Sequence, residues 1–175
     1  MKEKKYPPVL ETERLILRPI TMDDKTAIYK WASDPRVSKF MIYSNYNSPS
    51  DADPWIETLY DNERELDYGF VLKETGELIG SGGVIFKEEY DHWSLGYNIR
   101  YDMWGKGLVT EACRRIIDYA REKYHAKKIV AVFAVDNPKS GRVMERLGMY
   151  FHKDCEYSKL DGSETFMAKK YEIVY

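Results

Sequence analysis

The chain has 175 residues, of which 43% are hydrophobic and 32% charged, and its formal net charge is -2. This length and apolar content predict one domain over residues 1–175 with a buried core. The near balance of acidic and basic residues excludes a broad electrostatic attraction to nucleic acid, so no nucleic-acid partner is expected.

In chain order, periodicity and turn residues predict strand 14–18, helix 21–33, helix 54–65, strands 68–73, 78–86 and 93–100, helix 108–124, strand 128–135, helix 138–148 and strands 149–157 and 164–173. Capping residues mark the helix ends, since Pro54 and Pro138 suit a first turn and Gly148 suits a left-handed stop. This pattern is typical of an α/β (α+β) chain with helices on a mixed sheet.

The sequence contains no signal for secretion or membrane insertion. Two cysteines, Cys113 and Cys155, are too few for a disulfide framework and favour a reducing compartment. Residues 1–5 are charged and no apolar signal segment follows them. The apolar run 129–135 is too short to cross a bilayer. We therefore expect a cytoplasmic location and no membrane partner.

Three glycines interrupt the predicted strand 78–86, namely Gly80, Gly82 and Gly83. Glycine weakens a strand interior, so it indicates either a bulge or a close approach of another backbone. Both explanations remain open at this point, as does a role in leaving room for a substrate.

The most informative stretch is the strand, loop and helix formed by residues 93–124. Gly105 and Gly107 precede a helix whose first N–H groups have no partner and carry partial positive charge. Lys106 adds a positive charge, so the loop suits a phosphate or pyrophosphate cradle, although a tight turn is an equally good explanation. The sequence has no P-loop motif, and Thr110 stands where a dinucleotide fingerprint needs its third glycine.

Four stretches together resemble the Gcn5-related N-acetyltransferase (GNAT) superfamily, and within it the branch of ribosomal-protein N-terminal acetyltransferases. Residues 12–19 (TERLILRP) resemble the opening strand of that branch, and residues 95–100 (LGYNIR) its fourth strand. Residues 104–112 (WGKGLVTEA) resemble its acetyl-CoA loop, and residues 137–149 its later Asn-x-x-Ser segment. The order and spacing of the stretches agree with the family over nearly the whole chain.

The resemblance implies a mixed, mostly antiparallel sheet of six to seven strands, splayed between strands 4 and 5, with about four helices. Acetyl-CoA, the co-substrate, would lie in the gap, and no metal is expected. By resemblance, the cofactor-binding residues are Asn98, Ile99, Trp104, Gly105, Lys106, Gly107, Leu108, Val109, Thr110, Asn137 and Ser140. Arg142 on the same helix as Ser140 either meets a phosphate or is solvated.

The family reaction, direct attack of an amine on the thioester, needs a base for the amine and a proton for the thiolate. The chain departs from common family patterns, because Ser94 replaces a frequent glutamate base and Met144 a frequent tyrosine acid. Ser140 is then the leading proton donor to sulfur, or else only a helix-start residue that bonds its own backbone.

For the base, His92 has a suitable intrinsic pKa but also suits a solvated turn. Its neighbours Glu88, Glu89 and Asp91 are further candidates. Tyr97 is a third catalytic candidate, or a wall residue of the cleft.

Aromatic residues of the N-terminal half either line the acceptor cleft or belong to the core; these are Trp31, Phe40, Tyr43 and Tyr46. Acidic residues in the same region would favour a cationic acceptor; these are Asp51, Asp53, Glu57 and Asp61.

The sequence thus predicts an acetyl-CoA-dependent N-acetyltransferase, a monomer or homodimer, that acts on a protein N-terminal α-amine or a small-molecule amine. The alternative is an acyl-CoA-binding regulatory module without turnover. A nucleotide hydrolase is disfavoured by the missing P-loop.

Overall fold

A computed structural model describes residues 2–175, which form one sheet of eight strands and five α-helices. The strands are β1 (Leu10–Glu11), β2 (Leu15–Arg18), β3 (Glu65–Leu72), β4 (Leu78–Lys87), β5 (His92–Ile99), β6 (Lys128–Ala134), β7 (Tyr150–Ser158) and β8 (Thr165–Val174). The α-helices are α1 (Lys25–Ala32), α2 (Pro35–Ser38), α3 (Asp53–Thr58), α4 (Leu108–Tyr124) and α5 (Pro138–Arg146).

The sheet confirms the predicted mixed, mostly antiparallel architecture. Its strand order is β1-β2-β3-β4-β5-β6-β8-β7, and of its neighbouring pairs β5 and β6 alone run parallel. The structure adds one strand and one helix to the expected numbers. The extra elements are β1, with two residues, and α2, with four, and neither is long enough for a hydrophobic period to show.

The helix predicted to reach Glu65 is wrong in its C-terminal half. Helix α3 ends at Thr58, where Leu59 takes an extended backbone and Tyr60 a left-handed one with φ of 64°. The side chain of Tyr60 is buried, and its hydroxyl accepts a hydrogen bond from the N–H of Ile20 at 2.7 Å. Burial of this tyrosine fixes a turn that helical propensity alone does not reveal, and the chain is already in β3 at Glu65.

The sheet opens between β5 and β6, the fourth and fifth of the strands predicted from sequence. The two strands pair in only two places, Trp93 with Ile129 and Ser94 with Val130. Beyond them β5 continues to Ile99 and pairs with β4 on its other side, while β6 pairs with β8. The edge of β5 that faces β6 therefore lacks a strand partner over residues 95–99, and the expected splay is confirmed.

Alternate residues of β5 point to two different faces of the sheet. We call the face of Leu95, Tyr97 and Ile99 the helix face, because these residues pack in one core with α4. The open face is the opposite one, which carries His92, Ser94, Gly96 and Asn98. A second core around α1 and α3 covers its β3–β4 end and leaves the β5–β6 region uncovered.

Helix α4 supplies most of the helical contribution to the main core. Its buried side chains recur at helical spacing: Leu108, Ala112, Cys113, Ile116, Ile117 and Ala120. Each fully buried leucine or isoleucine contributes about 1.5–3 kcal/mol to stability. Cys113 is a core residue, and burial raises the pKa of its thiol. The buried stripe holds the first turn of α4 rigidly beside the open end of β5.

The β4 glycines mark close backbone contacts. A Cβ on Gly80 would lie 2.6 Å from the carbonyl oxygen of Asn98, and one on Gly83 would lie 1.9 Å from that of Leu66. The register shift between β3 and β4 falls between Phe70 and Val71, which pair with Gly80 and Leu78, so a strand irregularity also lies beside Gly80. The glycines therefore let β3, β4 and β5 approach closely.

No helix within residues 2–175 is long and apolar enough to cross a membrane. In the same part of the chain, no three histidine, cysteine, aspartate or glutamate side chains cluster in a way that could hold a metal ion.

Candidate active site

The loop between β5 and α4 leaves the first turn of α4 accessible. Gly105 and Gly107 have φ of 74° and 75°, a left-handed backbone that would cost another residue about 1–2 kcal/mol. Gly107 is the N-cap residue, and no side chain of residues 2–175 caps the helix there. A Cβ at Gly105 would meet no atom within 4 Å. The N–H groups of this turn can therefore bind an anion.

A hydroxyl in the same turn also lacks a partner. Thr110 Oγ1 is buried and makes no hydrogen bond within residues 2–175. An unsatisfied buried polar group costs about 1–3 kcal/mol, so a ligand that accepts this O–H would remove the penalty. The donor set of N–H groups and one hydroxyl fits a phosphate group.

Arg14, which sequence reasoning placed only in the opening strand, lies at the same loop. Its guanidinium donates to the carbonyl of Lys106 at 2.9 Å and forms an ion pair with Glu111 at 2.7 Å. Burial acts to raise the pKa of Glu111, but hydrogen bonds from Thr12 and Arg14 outweigh it and hold the pKa low. These contacts join β2 to the cradle, across a sequence separation that no local motif reveals.

A cavity of about 1240 Å³ extends from the cradle through the gap between β5 and β6. Its walls include Leu95, Tyr97 and Ile99 of the helix face as well as Gly96 and Asn98 of the open face. The cavity therefore passes from one face of the sheet to the other. Its volume exceeds that of an ordinary small-molecule site and can hold a long arm together with a second molecule.

Most of the residues predicted for cofactor binding line this cavity: Asn98, Ile99, Trp104, Gly105, Gly107, Leu108, Val109, Thr110, Asn137 and Ser140. Lys106 does not line it, since its side chain is exposed and its carbonyl accepts from Arg14. Lys139 lines the cavity as well, with its ammonium 4.9 Å from the ring centroid of Trp104. Positive charge at the cradle thus comes from α5 as well as from the helix terminus.

Two of the predicted catalytic residues contact each other across the gap. The hydroxyl of Tyr97 donates to the carbonyl of Ser140 at 2.8 Å and lies 2.9 Å from Ser140 Oγ. Burial raises the pKa of Tyr97, although the hydrogen bond with Ser140 partly opposes the shift. Both residues line the cavity, so the two hydroxyl groups lie together on the helix-face side of the cavity.

The third predicted catalytic residue, His92, lies apart from this pair. It is half-buried at the start of β5, where its ring stacks on Tyr90 with centroids 5.6 Å apart. Tyr97 is five steps along the strand from His92, about 17 Å at ~3.3 Å per residue. His92 also points to the open face, whereas Tyr97 points to the helix face. His92 therefore lines the cavity without contacting the hydroxyl pair.

A second polar network, which sequence reasoning did not identify, crosses the open face at Asn98. Tyr43 donates its hydroxyl hydrogen to Asn98 Oδ1 at 2.7 Å. The amide nitrogen of Asn98 in turn donates to Ser81 Oγ at 2.8 Å. This chain fixes the Asn98 side chain and connects β5 to the loop that follows α2. In the sequence, the two-residue spacing of Ser94, Gly96 and Asn98 indicates only that these residues share one face of the strand.

The hairpin between β7 and β8 holds that loop in place. Lys159 Nζ donates to the carbonyls of Ser38, Met41 and Tyr43 at 2.9, 2.7 and 3.1 Å. The hydroxyl of Tyr157 and the N–H of Leu160 bind two further carbonyls of this segment. We call loop 38–43 with this hairpin tip the clasp. The clasp forms the roof of the cavity above the open face, where Met41 is among the lining residues.

The aromatic residues predicted for an acceptor cleft divide between the cavity and the core. Trp31 is buried in the core around α1 and α3, and Tyr43 and Tyr46 pack against that core. Phe40 lines the cavity. Both explanations left open by the sequence therefore apply, each to different residues.

The expected acidic bias at the acceptor side is wrong, because none of its residues lines the cavity: Asp51, Asp53, Glu57 and Asp61. Asp53 pairs with Lys25 at 3.1 Å, and Asp61 pairs with Lys4 at 2.8 Å. Asp51 accepts hydrogen bonds from backbone N–H groups of its own turn. These three aspartates therefore stabilise local structure.

The cradle, the opened strand edge and the cavity between them define an acyl-CoA-type site. A family model described as an acetyltransferase (GNAT) domain matches residues 14–150. The uncharacterized N-acetyltransferase YoaA of Bacillus subtilis is 32% identical over 145 residues, with 81% of this chain and 82% of that protein covered.

Two further comparisons agree. The ribosomal protein uS5 alanine N-acetyltransferase of Escherichia coli is 30% identical over 100 residues, 54% of this chain and 50% of that protein. The crystal structure of the microcin C7 self-immunity acetyltransferase MccE, in complex with acetyl-CoA and AMP, has a TM-score of 0.78 at 21% identity, with 94% of each chain covered.

The chain belongs to the GNAT acetyltransferase family. The predicted resemblance to the ribosomal-protein branch is confirmed, because relatives named for that activity are among the matches. GNAT enzymes use acetyl-CoA as co-substrate, so the protein is an acyltransferase of this type.

Proposed function

We propose that this enzyme moves the acetyl group of acetyl-CoA to a primary amine by direct attack in a ternary complex. One observation carries the proposal: the uncapped first turn of α4, with its unpaired Thr110 hydroxyl, opens into a cavity that crosses the sheet. Such a passage allows one substrate to approach from each face.

In this proposal the helix-face side of the cavity holds acetyl-CoA. The N–H groups from Gly105 to Thr110 bind the pyrophosphate, because they are the open donors of a helix N-terminus. The unpaired edge of β5 at residues 97–99 bonds the amides of the pantetheine arm. Asn137, whose side chain does not cap α5, and Ser140 contact the arm from the opposite wall.

Tyr97 and Ser140 act together as the proton source for the departing thiolate. The common family tyrosine is replaced by Met144, which is buried in the core and has no proton to give. The Tyr97 hydroxyl is protonated at neutral pH, as an ordinary tyrosine hydroxyl is, and burial raises its pKa further. A general acid placed in this way typically contributes a factor of about 10²–10⁴ in rate.

The acceptor amine approaches from the open face, beneath the clasp. The relative from Escherichia coli is named for acetylation of an alanine of ribosomal protein uS5, so a protein N-terminal α-amine is one acceptor class. A small-molecule amine is the other. His92 is too far from the hydroxyl pair to exchange a proton with it directly, and as a base it would act on the acceptor side through water.

The test is thiol release measured with DTNB on a panel of primary amines at saturating acetyl-CoA. Release that depends on both the amine and the enzyme supports the proposal. The alternative function, a binding module without turnover, is favoured by the replacement of the family acid and base residues. Calorimetry of acetyl-CoA binding on the same preparation separates this alternative from an active acetyltransferase. Acetyl-CoA binding with no release for any amine, peptides with free N-termini included, would establish that alternative.

A further inference from the structure

The open-face end of the cavity carries basic side chains. Lys87, His92 and Lys170 line it there, at the strand ends and beside the gap. Strand register brings them together, since Lys87 pairs with His92 and Lys170 pairs with Val132. Side chains of directly opposed residues share a face of the sheet. Val130 opposes Ser94 of the open face, and Val132, two residues later, returns to that face, so all three basic residues belong to the open face.

Two of these groups have no ionic partner within residues 2–175. Neither Lys87 nor Lys170 forms an ion pair or a side-chain hydrogen bond there, whereas the adjacent Lys169 pairs with Asp154 at 3.0 Å. Lys170 is half-buried and Lys87 is exposed. A lysine that faces a cavity without a carboxylate partner leaves its charge available to a ligand.

The acidic groups near this end are already neutralised or directed elsewhere. Glu172, on the same face, pairs with Lys128 at 2.9 Å and with His152 at 3.4 Å. The acidic residues of the β4–β5 turn, Glu88, Glu89 and Asp91, are exposed and do not line the cavity. Within residues 2–175, Asp136 is the one carboxylate that lines the cavity, and it lies at the other wall, before α5. The acceptor end therefore has a net positive charge.

The positive charge at this end also affects the imidazole of His92. Burial lowers the pKa of His92, and the charges of Lys170, Lys128 and Lys87 lower it further. A bound ammonium would experience the same repulsion, which favours the neutral and nucleophilic form of an amine. A polycation would be repelled for the same reason.

We propose that the acceptor is an amine that also carries an anionic group, a carboxylate or a phosphate, which binds at Lys170 with support from His92 and Lys87. The inference rests on the proposed function and names the acceptor class of the same site. Lys170 is a specificity-determining residue in this view. It binds the anion, while the amine points to the gap at Gly96, where the lack of a Cβ leaves open space.

The experiment compares matched amines that differ in one charge. The pairs are glycylglycine with its C-terminal amide, and phosphoethanolamine with ethanolamine, with spermidine as the polycation. We expect the anionic member of at least one pair to have a kcat/KM at least about tenfold higher, and the pair that shows it identifies carboxylate or phosphate. The preference should shrink with added salt, because exposed charges are screened.

Variants of two adjacent lysines assign the preference to this site. Lys170→Met should abolish the preference mainly through KM, and Lys170→Glu should reverse it towards the uncharged or cationic amines. Lys169→Met is the control, because that side chain belongs to the other face and pairs with Asp154. Melting temperatures verify that each variant is folded.

Binding is measured apart from turnover, by calorimetry of the acetylated products with the CoA-loaded enzyme. The inference is supported if N-acetylglycylglycine binds more tightly than its amide, or N-acetyl phosphoethanolamine more tightly than N-acetylethanolamine. The Lys170→Met variant should lose this difference in affinity. Equal or weaker binding and turnover of the anionic member in both pairs overturns it, while thiol release itself still supports acetyl transfer. Failure of every amine to release thiol overturns the proposed function, and the acceptor class with it.

Discussion

Tyr97→Phe is the sharpest probe of the proposed proton source, because it removes one hydroxyl from a half-buried ring that packs against the main core and leaves that packing in place. The lost interactions are the bond to the Ser140 carbonyl at 2.8 Å and the contact with Ser140 Oγ at 2.9 Å. A neutral hydrogen bond contributes about 1 kcal/mol net to stability. For a chain of this size that corresponds to a fall in melting temperature of about 2–4 °C.

The effect on chemistry should be much larger than the effect on folding. Loss of a general acid lowers the rate by about 10²–10⁴, whereas 1 kcal/mol changes an affinity only about fivefold. We therefore expect the single-turnover rate of acetyl transfer to fall at least about 10²-fold while the Kd for acetyl-CoA changes less than about fivefold. Rapid-quench kinetics and calorimetry measure the two quantities.

The matched control is Tyr124→Phe, which also removes a tyrosine hydroxyl bonded to a carbonyl, that of Glu63 at 2.8 Å, outside the cavity. Ser140→Ala and the double variant with Tyr97→Phe complete a cycle. If the two hydroxyls act as one unit, the double variant is no slower than the worse single variant. A Tyr97→Phe rate within about fivefold of the Tyr124→Phe rate would refute the reasoning.

Three further changes test the cradle, the clasp and the fold. Gly107→Glu should weaken acetyl-CoA binding at least about 10²-fold by calorimetry, because it places a negative charge at the anion site. The control is Gly76→Glu, which also replaces a left-handed glycine but lies in a turn away from the cavity and should leave acetyl-CoA binding unchanged. Lys159→Met should raise the KM of the acceptor more than that of acetyl-CoA, since it frees three carbonyls of the roof; equal changes in both KM values would contradict the clasp. Burial, with a smaller part from Glu65, raises the pKa of Asp67 to about 7, so its contribution to stability is full below pH ~4 and is lost as pH rises through 7. Asp67→Asn should therefore raise the melting temperature at pH 8.5 and not at pH 4; an equal gain at both values would exclude this titration.

The parts of the site that sequence predicted are local in the chain. Three such features are the glycines at the start of α4, the lack of a capping side chain there and the alternation of β5. Each depends only on neighbouring residues, so the sequence pattern of residues 93–124 predicts it. The Tyr97–Ser140 contact, the Lys159 clasp and the Arg14–Glu111 pair join residues far apart in sequence. They depend on strand register and on how the β7–β8 hairpin folds over the gap. A short stretch of sequence predicts neither of these.

The alternation of β5 also limits where the predicted catalytic residues can lie. His92 is five residues before Tyr97, an odd number, so the two side chains must point to opposite faces of the strand. The three proposed catalytic residues therefore cannot form one cluster. They divide into a pair on the helix face and a single residue on the open face.

That division agrees with the chemistry of direct attack. The amine loses its proton on the side from which it approaches, and the sulfur gains one on the side towards which it leaves. In the proposed mechanism, the hydroxyl pair on the helix face supplies the proton to sulfur, and the positive field on the open face favours the neutral amine. The positive field favours the neutral amine before attack, and the proton that nitrogen releases on attack passes to water at the open face, so the proposed mechanism does not require the glutamate that Ser94 replaces. A polar base at residue 94 would instead attract cationic amines to this end. On this argument, Ser94→Glu should shift acceptor preference towards cationic amines more than it raises the maximal rate, and a large rate increase with unchanged preference would show that the enzyme lacks only a base.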